Sequence, residues 1–456
     1  MAPLNIARIR GMSPAAYEDK KRLLTESLRA SAEGVSLGKR TSSNLFRYQP
    51  RARAGKRIDL SGFNRVLRVD AARRLLEVEG LATFEAIVDH TLPHGLVPLI
   101  TPELKHITVG GAIVGIGIES SCYRHGFVHD GMLEAEVLLP DGRIVTCSAQ
   151  GAHADLFRAL PNSYGTLGYI LRATMRLMPA RPYVHLHTTR FDDLDAYLEA
   201  MRAATAAADV DFVEGLFYSD SRYFLTVSRF VDKPPHVDDI LRRNIFYRLI
   251  EQQPDVYLTT KDYLFRYDPD WFWNLPETPA YGLFRRFAPA AMRNSGFYKR
   301  YIDAKTRLLE RLAPGRTDLE EPLIQDWEVP WEHAAELTRF ALREVDLGGK
   351  PWIVTAIRTP ASPTLYPIKA DTLYYNLGCY CQVRKPAGRD AYHYTRIMDR
   401  KCFDLGGIKM LYSSTFLSKA EFGRLYNGAG YEQLKARYDP AGRQRGLFEK
   451  CVISTP

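Results

Sequence analysis

What this chain lacks narrows its class before any motif is read. Cysteine is scarce: six in 456 residues, at 122, 147, 379, 381, 402 and 451. A disulfide-stapled fold needs a smaller and denser chain, and no Cys-x-x-Cys pair is present to hold zinc. Free thiols in a reducing compartment are therefore expected, with no metal site. No stretch reaches the roughly 18 consecutive apolar residues of a spanning helix. Met1 to Arg10 contains no apolar core of a secretory signal. The expectation is a cytoplasmic protein, or one held peripherally at the inner face of a membrane. Basic runs are also missing. The net charge of +9 comes from scattered Lys and Arg, which argues against nucleic acid as a partner while favouring anionic surfaces. Internal repeats and low-complexity tracts are absent.

What is present is a chain long enough for two or three domains. Ser13-Pro14 opens a charged helix, Ala15 to Ala30. Arg65 to Asp70 and Leu75 to Gly80 read as paired strands, and Thr83 to His94 as a helix capped by Thr83. Val97 to Ile100 is extended, and Thr108 to Gly126 reads as a glycine-dense loop. Strands at Leu133 to Leu139 and Arg143 to Cys147 flank the turn Pro140 to Arg143. A short helix, Asp155 to Leu160, precedes a strand at Tyr169 to Met178. Composition shifts after Pro182. Gln325 to Pro330, Trp352 to Ile357 and Leu373 to Val383 read as strands of a second sheet. The resulting division is 1–182, 183–400 and 401–456, the last segment returning to the first domain.

Within the glycine segment, Gly110, Gly111, Gly115 and Gly117 fall in eight residues. A diphosphate needs close backbone approach and convergent N–H donors, and glycine permits both. Thr108, Ser120 and Ser121 add hydroxyls. No Gly-Lys-Ser/Thr closes the segment as in a Walker A loop, and the third glycine of a dinucleotide fingerprint is missing. Taken alone, the segment also suits a tight turn in a sheet protein.

The order of motifs goes further. Thr108 to Gly111, Arg124-His125-Gly126, Leu139 to Gly142, Asp155-Leu156-Phe157 and Gly165-Thr166-Leu167-Gly168 follow one another as in the FAD-binding domain of the vanillyl-alcohol-oxidase / p-cresol-methylhydroxylase superfamily, which this region resembles. The resemblance implies an α+β protein: a two-subdomain FAD-binding fold followed by an α+β substrate (cap) domain with an antiparallel sheet. It assigns FAD to Thr108, Val109, Gly110, Gly111, Gly115, Gly117, Ile118, Glu119, Ser120, Ser121, Gly126, Gly165, Thr166 and Gly168. It also assigns an earlier phosphate-facing loop holding Lys39, Arg40, Thr41, Ser42 and Asn44. Members with covalent flavin usually carry a His in that loop, and some a Cys near the glycine segment. This chain has no such His, and Cys122 follows the segment, so non-covalent FAD is expected. His106 is the one candidate for a covalent link.

The second half is similar to the delta(24)-sterol reductase branch, through Tyr257 to Arg266, Asp270 to Trp273, Gln325-Asp326 and Gly406 to Tyr412. That branch reduces an isolated alkene, and bacterial relatives act on lipid acyl chains. The resemblance implies an FAD-dependent oxidoreductase acting on a carbon–carbon bond of a sterol side chain or a methylated or methylene fatty acyl chain. The reverse reaction, lipid desaturation, is an alternative, as is an alcohol or sugar oxidase or a flavin-binding accessory protein. Such chemistry needs an apolar slot and one proton donor. Lys409, Tyr412 and Glu119 are the candidates, each with a structural role as the alternative. No nicotinamide fingerprint is present, so NAD(P)H, if it is the electron donor, must meet the flavin directly or through an electron-transfer partner. Aromatic and basic residues interleave from Tyr263 to Tyr301, which suits either contact with anionic lipid or a packed cap with a basic face.

Overall fold

The computed structural model describes residues 14–29, 35–38, 56–241 and 245–273, some positions between 283 and 308, and 320–386 and 388–453. The Lys39–Asn44 loop lies outside them.

Strands β1 (Val35–Gly38) and β2 (Lys56–Asp59) pair in parallel. Six more strands follow: β3 (Val66–Asp70), β4 (Leu75–Glu79), β5 (Leu96–Pro98), β6 (Met132–Leu138), β7 (Ile144–Ser148) and β8 (Tyr169–Pro179). They form an antiparallel sheet in the order β3-β4-β8-β6-β7, with β5 also on β8. Helix Phe84–Thr91 begins where Thr83 accepts the Ala86 N–H, and Gly95 follows with φ 67°. Tyr17 and Leu24 of helix Pro14–Arg29 pack with Phe63, Leu138 and Leu171 on this sheet.

Three residues past β8 the chain enters a second sheet. Its strands are β9 (Tyr183–Phe191), β10 (Phe212–Ser219), β11 (Arg222–Val231), β12 (Asp255–Thr259), β13 (Glu320–Pro330), β14 (Trp352–Ile357), β15 (Tyr374–Arg384) and β16 (Ile408–Lys409). They run antiparallel in the order β12-β9-β11-β10-β14-β15-β13-β16.

Period-two alternation gives this sheet two different faces. Val213, Phe217, Trp327, Leu377 and Cys379 pack outward on helices Leu194–Ala206, Ala334–Glu344 and His393–Asp404. Phe212, Leu216, Phe224, Ile357 and Tyr374 face inward and share one core with Val78, Ile87, Ile113 and Phe127 of the first sheet's layer. The protein is thus α+β, with both sheets closing on a common interior. Helix His393–Asp404 runs across the sequence boundary at 401. Beyond it, helices Gly428–Tyr438 and Leu447–Cys451 return to the first layer, where Arg437 and Tyr438 bind Asp155 and Lys450 binds the Tyr164 carbonyl. All six cysteines are buried and in no disulfide. Among the described residues, no helix is long and apolar enough to cross a membrane.

Candidate functional site

The glycine segment differs from the expected loop. Val109–Val114 is a short helix and Cys122–His125 another. Helix formation here overrides a glycine cost of roughly 1 kcal/mol per residue, because the backbone is pinned from outside. Val109 N–H binds the Ala82 carbonyl at 3.0 Å and Gly110 N–H binds the Gly80 carbonyl at 2.8 Å. A Cβ on Gly110 would meet that same Gly80 oxygen at 2.8 Å. Protein packing alone therefore already requires glycine at 110.

Several other groups that the resemblance assigns to FAD also bond or pack within the protein. The Ser121 hydroxyl donates to the Leu99 carbonyl at 2.8 Å, and Ser120 Oγ lies 3.0 Å from the Tyr263 hydroxyl. Both hydroxyls are used inside the protein. Gly117 accepts from Val128 N–H, and Gly126 lies against Asp130 and Pro360. Thr166 gives its hydroxyl to the Ser163 carbonyl, while its own carbonyl accepts from Lys435. Gly168, at φ 152°, would place a Cβ 2.6 Å from Val137 Cγ1 and 2.8 Å from the Leu138 oxygen.

What remains open is narrower and fits a diphosphate well. Gly111 is exposed. The buried hydroxyls of Thr108 and Thr101 have no hydrogen-bond partner, which is costly unless a ligand supplies one. Gly115 and Ile118 are partly buried beside them. Ile116 holds φ 58°, a left-handed setting that a β-branched residue adopts only under constraint. Cys122 is buried, and burial pushes its thiol well up, so it offers no thiolate for covalent attachment. His106 lies against Gly296.

From this segment Glu119 reaches the second sheet. Arg266 NH2 lies 2.8 Å from Glu119 Oε1 and 2.7 Å from Glu214 Oε2, and its NH1 and Nε complete the two forks at 3.0 Å. Tyr267 donates to Glu214 at 3.1 Å. A guanidinium can serve two carboxylates at once because its donors lie in one plane. Here it ties the glycine segment to β10, and Val213 N–H adds a backbone bond to the Ser120 carbonyl at 2.9 Å.

A second polar cluster lies on the inward face of β13 and β15. Asp326 accepts from Asn376 Nδ2 at 2.8 Å, from the Tyr380 hydroxyl at 2.9 Å and from the Tyr412 hydroxyl at 2.6 Å. Gly378, opposite Asp326 in register, leaves room for the carboxyl: a Cβ there would lie 2.5 Å from Oδ1. Burial raises the Asp326 pKa, and the three donors offset it. Burial and then Asp326 push the Tyr412 phenol well up, so it stays protonated through the neutral range. Partly buried Glu103 feels both clusters. Burial, then Glu119, Asp326 and Glu214 push its carboxyl well up against the pull of Arg266. Next along the face, Glu328 is fully buried beside the Tyr366 hydroxyl. Burial pushes the Glu328 pKa well up.

Lys409 does not join Tyr412 and Glu119. Its partner across β13 is Trp327, which faces outward. The Lys409 ammonium holds Asp399 at 2.8 and 3.0 Å and the Ser414 carbonyl at 2.7 Å, and Trp327 Nε1 donates to the same Asp399 at 2.8 Å. Glu103, Glu214, Arg266, Asp326 and Tyr380 were not singled out as site residues from the sequence. The available signal was charge inside an apolar strand: Glu214 in Phe212 to Phe217, and Asp326 and Glu328 in Leu323 to Val329.

Buried acids and two phenols thus gather at the joint between the sheets, and the glycine segment carries the partnerless Thr108 hydroxyl. Residues 13–148 match the family described as FAD binding domain, and the chain is an FAD-dependent oxidoreductase. Along most of its length it is similar to proteins named delta(24)-sterol reductase. The mouse protein is 27% identical over 396 residues, covering 81% of this chain and 72% of its own. The human protein is 26% identical over 391 residues, covering 82% and 73%. Cytokinin dehydrogenase 4 of Oryza sativa subsp. japonica is 31% identical over 130 residues, covering 28% of this chain and 24% of its own.

Proposed function

We propose that this oxidoreductase saturates an isolated carbon–carbon double bond in a lipid chain, either a sterol side chain or a methyl- or methylene-bearing acyl chain. The observation that carries this reading is the Asp326–Tyr380–Tyr412 cluster, an acid–phenol group set in the apolar interior shared by the two sheets. The chain's similarity to delta(24)-sterol reductases supports the reaction class.

FAD, when bound, supplies the hydride for one alkene carbon. Gly111 and the Thr108 and Thr101 hydroxyls are proposed to hold its diphosphate, with the Lys39–Asn44 loop as the second phosphate-facing element. Tyr412 then gives its proton to the other carbon, so that one H2 equivalent is added. Asp326, which accepts from both phenols, relays a proton from Tyr380 to the phenolate left on Tyr412, and the partly exposed Tyr380 regains its proton from solvent. Glu119 is assigned to bracing rather than proton transfer, since Arg266 occupies both its oxygens. Lys409 is assigned to anchoring. The surrounding interior excludes water, which keeps the proton from leaking to solvent.

NAD(P)H or a protein electron donor would reduce the flavin from outside, and the protein would meet its lipid from one side of an anionic membrane. Lipid mass spectrometry of cells with and without the gene tests the reading. One unusual lipid should shift by one H2. An unchanged lipid profile, together with rapid oxidation of small alcohols or sugars by the purified protein, would replace it with the oxidase reading.

A further inference from the structure

The outward face of the second sheet is covered by helices over its middle, while among the described residues a polar trio at the β12–β9 edge stays partly exposed. His185 and His187 stand two apart on β9 and project to one side, while Val184 and Leu186 go to the core. On the adjoining edge strand, Asp255 pairs in register with His187 and Tyr257 with His185. Asp255 Oδ1 lies 2.7 Å from His185 Nε2 and 3.0 Å from His187 Nδ1. The donor atoms of the three residues all lie within 4.8 Å of one another. The Tyr257 ring stacks on His185 at 4.5 Å and 10°, fixing the imidazole plane. The side chains of His185, His187 and Asp255 are 25%, 48% and 47% exposed, enough to admit a hydrated ion.

We propose that His185, His187 and Asp255 form a three-ligand site for Zn2+ or a similar divalent transition ion, closed by water. Two imidazole nitrogens and one carboxylate oxygen form the donor set such ions prefer, whereas Mg2+ and Ca2+ favour all-oxygen shells. Zinc binds these donors at about 2.0–2.2 Å in a tetrahedron. Ligand atoms then stand roughly 3.4 Å apart, so the two Asp255–His distances need open by about 0.4–0.7 Å, and the two imidazole nitrogens already lie within 4.8 Å of one another. Without an ion, two imidazoles compete for one oxygen at a solvated edge, an arrangement of little energetic value. The site lies on the opposite face from Asp326 and takes no part in the redox step. Its mechanical role follows from the chain path: β12 runs directly into helix Thr260–Leu264 and on to Arg266. An ion joining β12 to β9 fixes the strand that delivers Arg266 to Glu119 and Glu214.

The test uses the full, FAD-loaded chain with any affinity tag removed. Zn2+ is titrated by calorimetry, and bound metal is measured after dialysis. The wild type should take up one Zn2+ per chain at this site, and Zn2+ but not Mg2+ should raise its melting temperature. His187→Ala and Asp255→Asn should each weaken that uptake by at least about tenfold and abolish the Zn2+-dependent rise, with flavin absorbance unchanged. Asp255→Asn is nearly isosteric and carries the test alone should His187→Ala fail to fold. Absence of saturable Zn2+ uptake by the wild type, or uptake as tight in Asp255→Asn as in the wild type, would overturn the site.

Discussion

At the scale of single residues, register decides which polar group meets the interior. Asp326 and Trp327 are chain neighbours, yet one faces the joint between the sheets and the other the helices behind. Lys409, opposite Trp327, is drawn to the far side with it, while Tyr412 turns back to Asp326. The two proton candidates therefore separate cleanly under mutation. Tyr412→Phe should keep FAD and the fold but slow lipid turnover by roughly 100-fold, the scale for losing a general acid. Lys409→Met should instead strand the Asp399 carboxylate in the core and cost about 3–5 kcal/mol of stability, read by denaturant melts. Wild-type turnover by Tyr412→Phe would remove the acid role proposed for it. Asp270 offers a second residue-scale test. It accepts the Phe246 N–H at 2.8 Å and the Tyr247 N–H at 3.4 Å, and burial pushes its pKa up to about 8. The folded protein thus holds this proton more tightly than the unfolded chain does. Its contribution to stability is complete below the usual carboxylate range and is lost as pH rises through about 8. Asp270→Asn keeps an acceptor but cannot ionise, so its stability relative to wild type should improve steadily between about pH 4 and 8. A pH-independent difference in melting temperature would contradict that account.

At the scale of elements, the glycine-bearing turns divide into those shaped for a ligand and those shaped for the protein. Gly111→Val should preserve the fold and lose FAD, because the exposed turn would carry a side chain where the diphosphate is proposed to lie. Gly168→Val should fail to fold, since its Cβ would press on Val137 and the Leu138 backbone. Soluble, folded Gly168→Val, judged by circular dichroism, would refute the packing argument. The same elements show what was legible beforehand. The pair β3–β4 and strands β6, β7, β8 and β14 lie within a residue or two of the ranges read from periodicity and caps, and helix Phe84–Thr91 reaches the expected end at His94 through a tighter 3-10 turn, Leu92–His94. These are segments where local pattern and tertiary demand agree. Helix Val109–Val114 was hidden because glycine density reads as loop, and the bonds that impose the helix come from Gly80 and Ala82, distant in sequence. The polar strip of the second sheet was hidden for a related reason. Glu214 and Asp326 acquire meaning only when Arg266 or Tyr412 arrives from another element.

At the scale of the whole molecule, charge and exposed apolar side chains act together. Leu283, Phe287, Met292 and Leu308 are exposed on a chain of net charge +9. Vesicles containing an anionic phospholipid should sediment the protein at low salt and release it at high salt. Equal recovery in the supernatant with and without vesicles would argue against membrane contact. The purified protein should be yellow and should release FAD on acid treatment, given that Cys122 is held as a buried thiol. Flavin remaining on the denatured chain would point to His106.

The interior joining the two sheets has a consequence for how this protein could acquire new specificities. Because Phe212, Leu216 and Tyr374 complete the same core as Val78 and Phe127, the second sheet cannot be exchanged for that of a relative without refitting the first. Recombination between homologues would break the packing that a point substitution leaves whole. Divergence in substrate should therefore proceed one inward-facing side chain at a time, around Asp326 and Glu214.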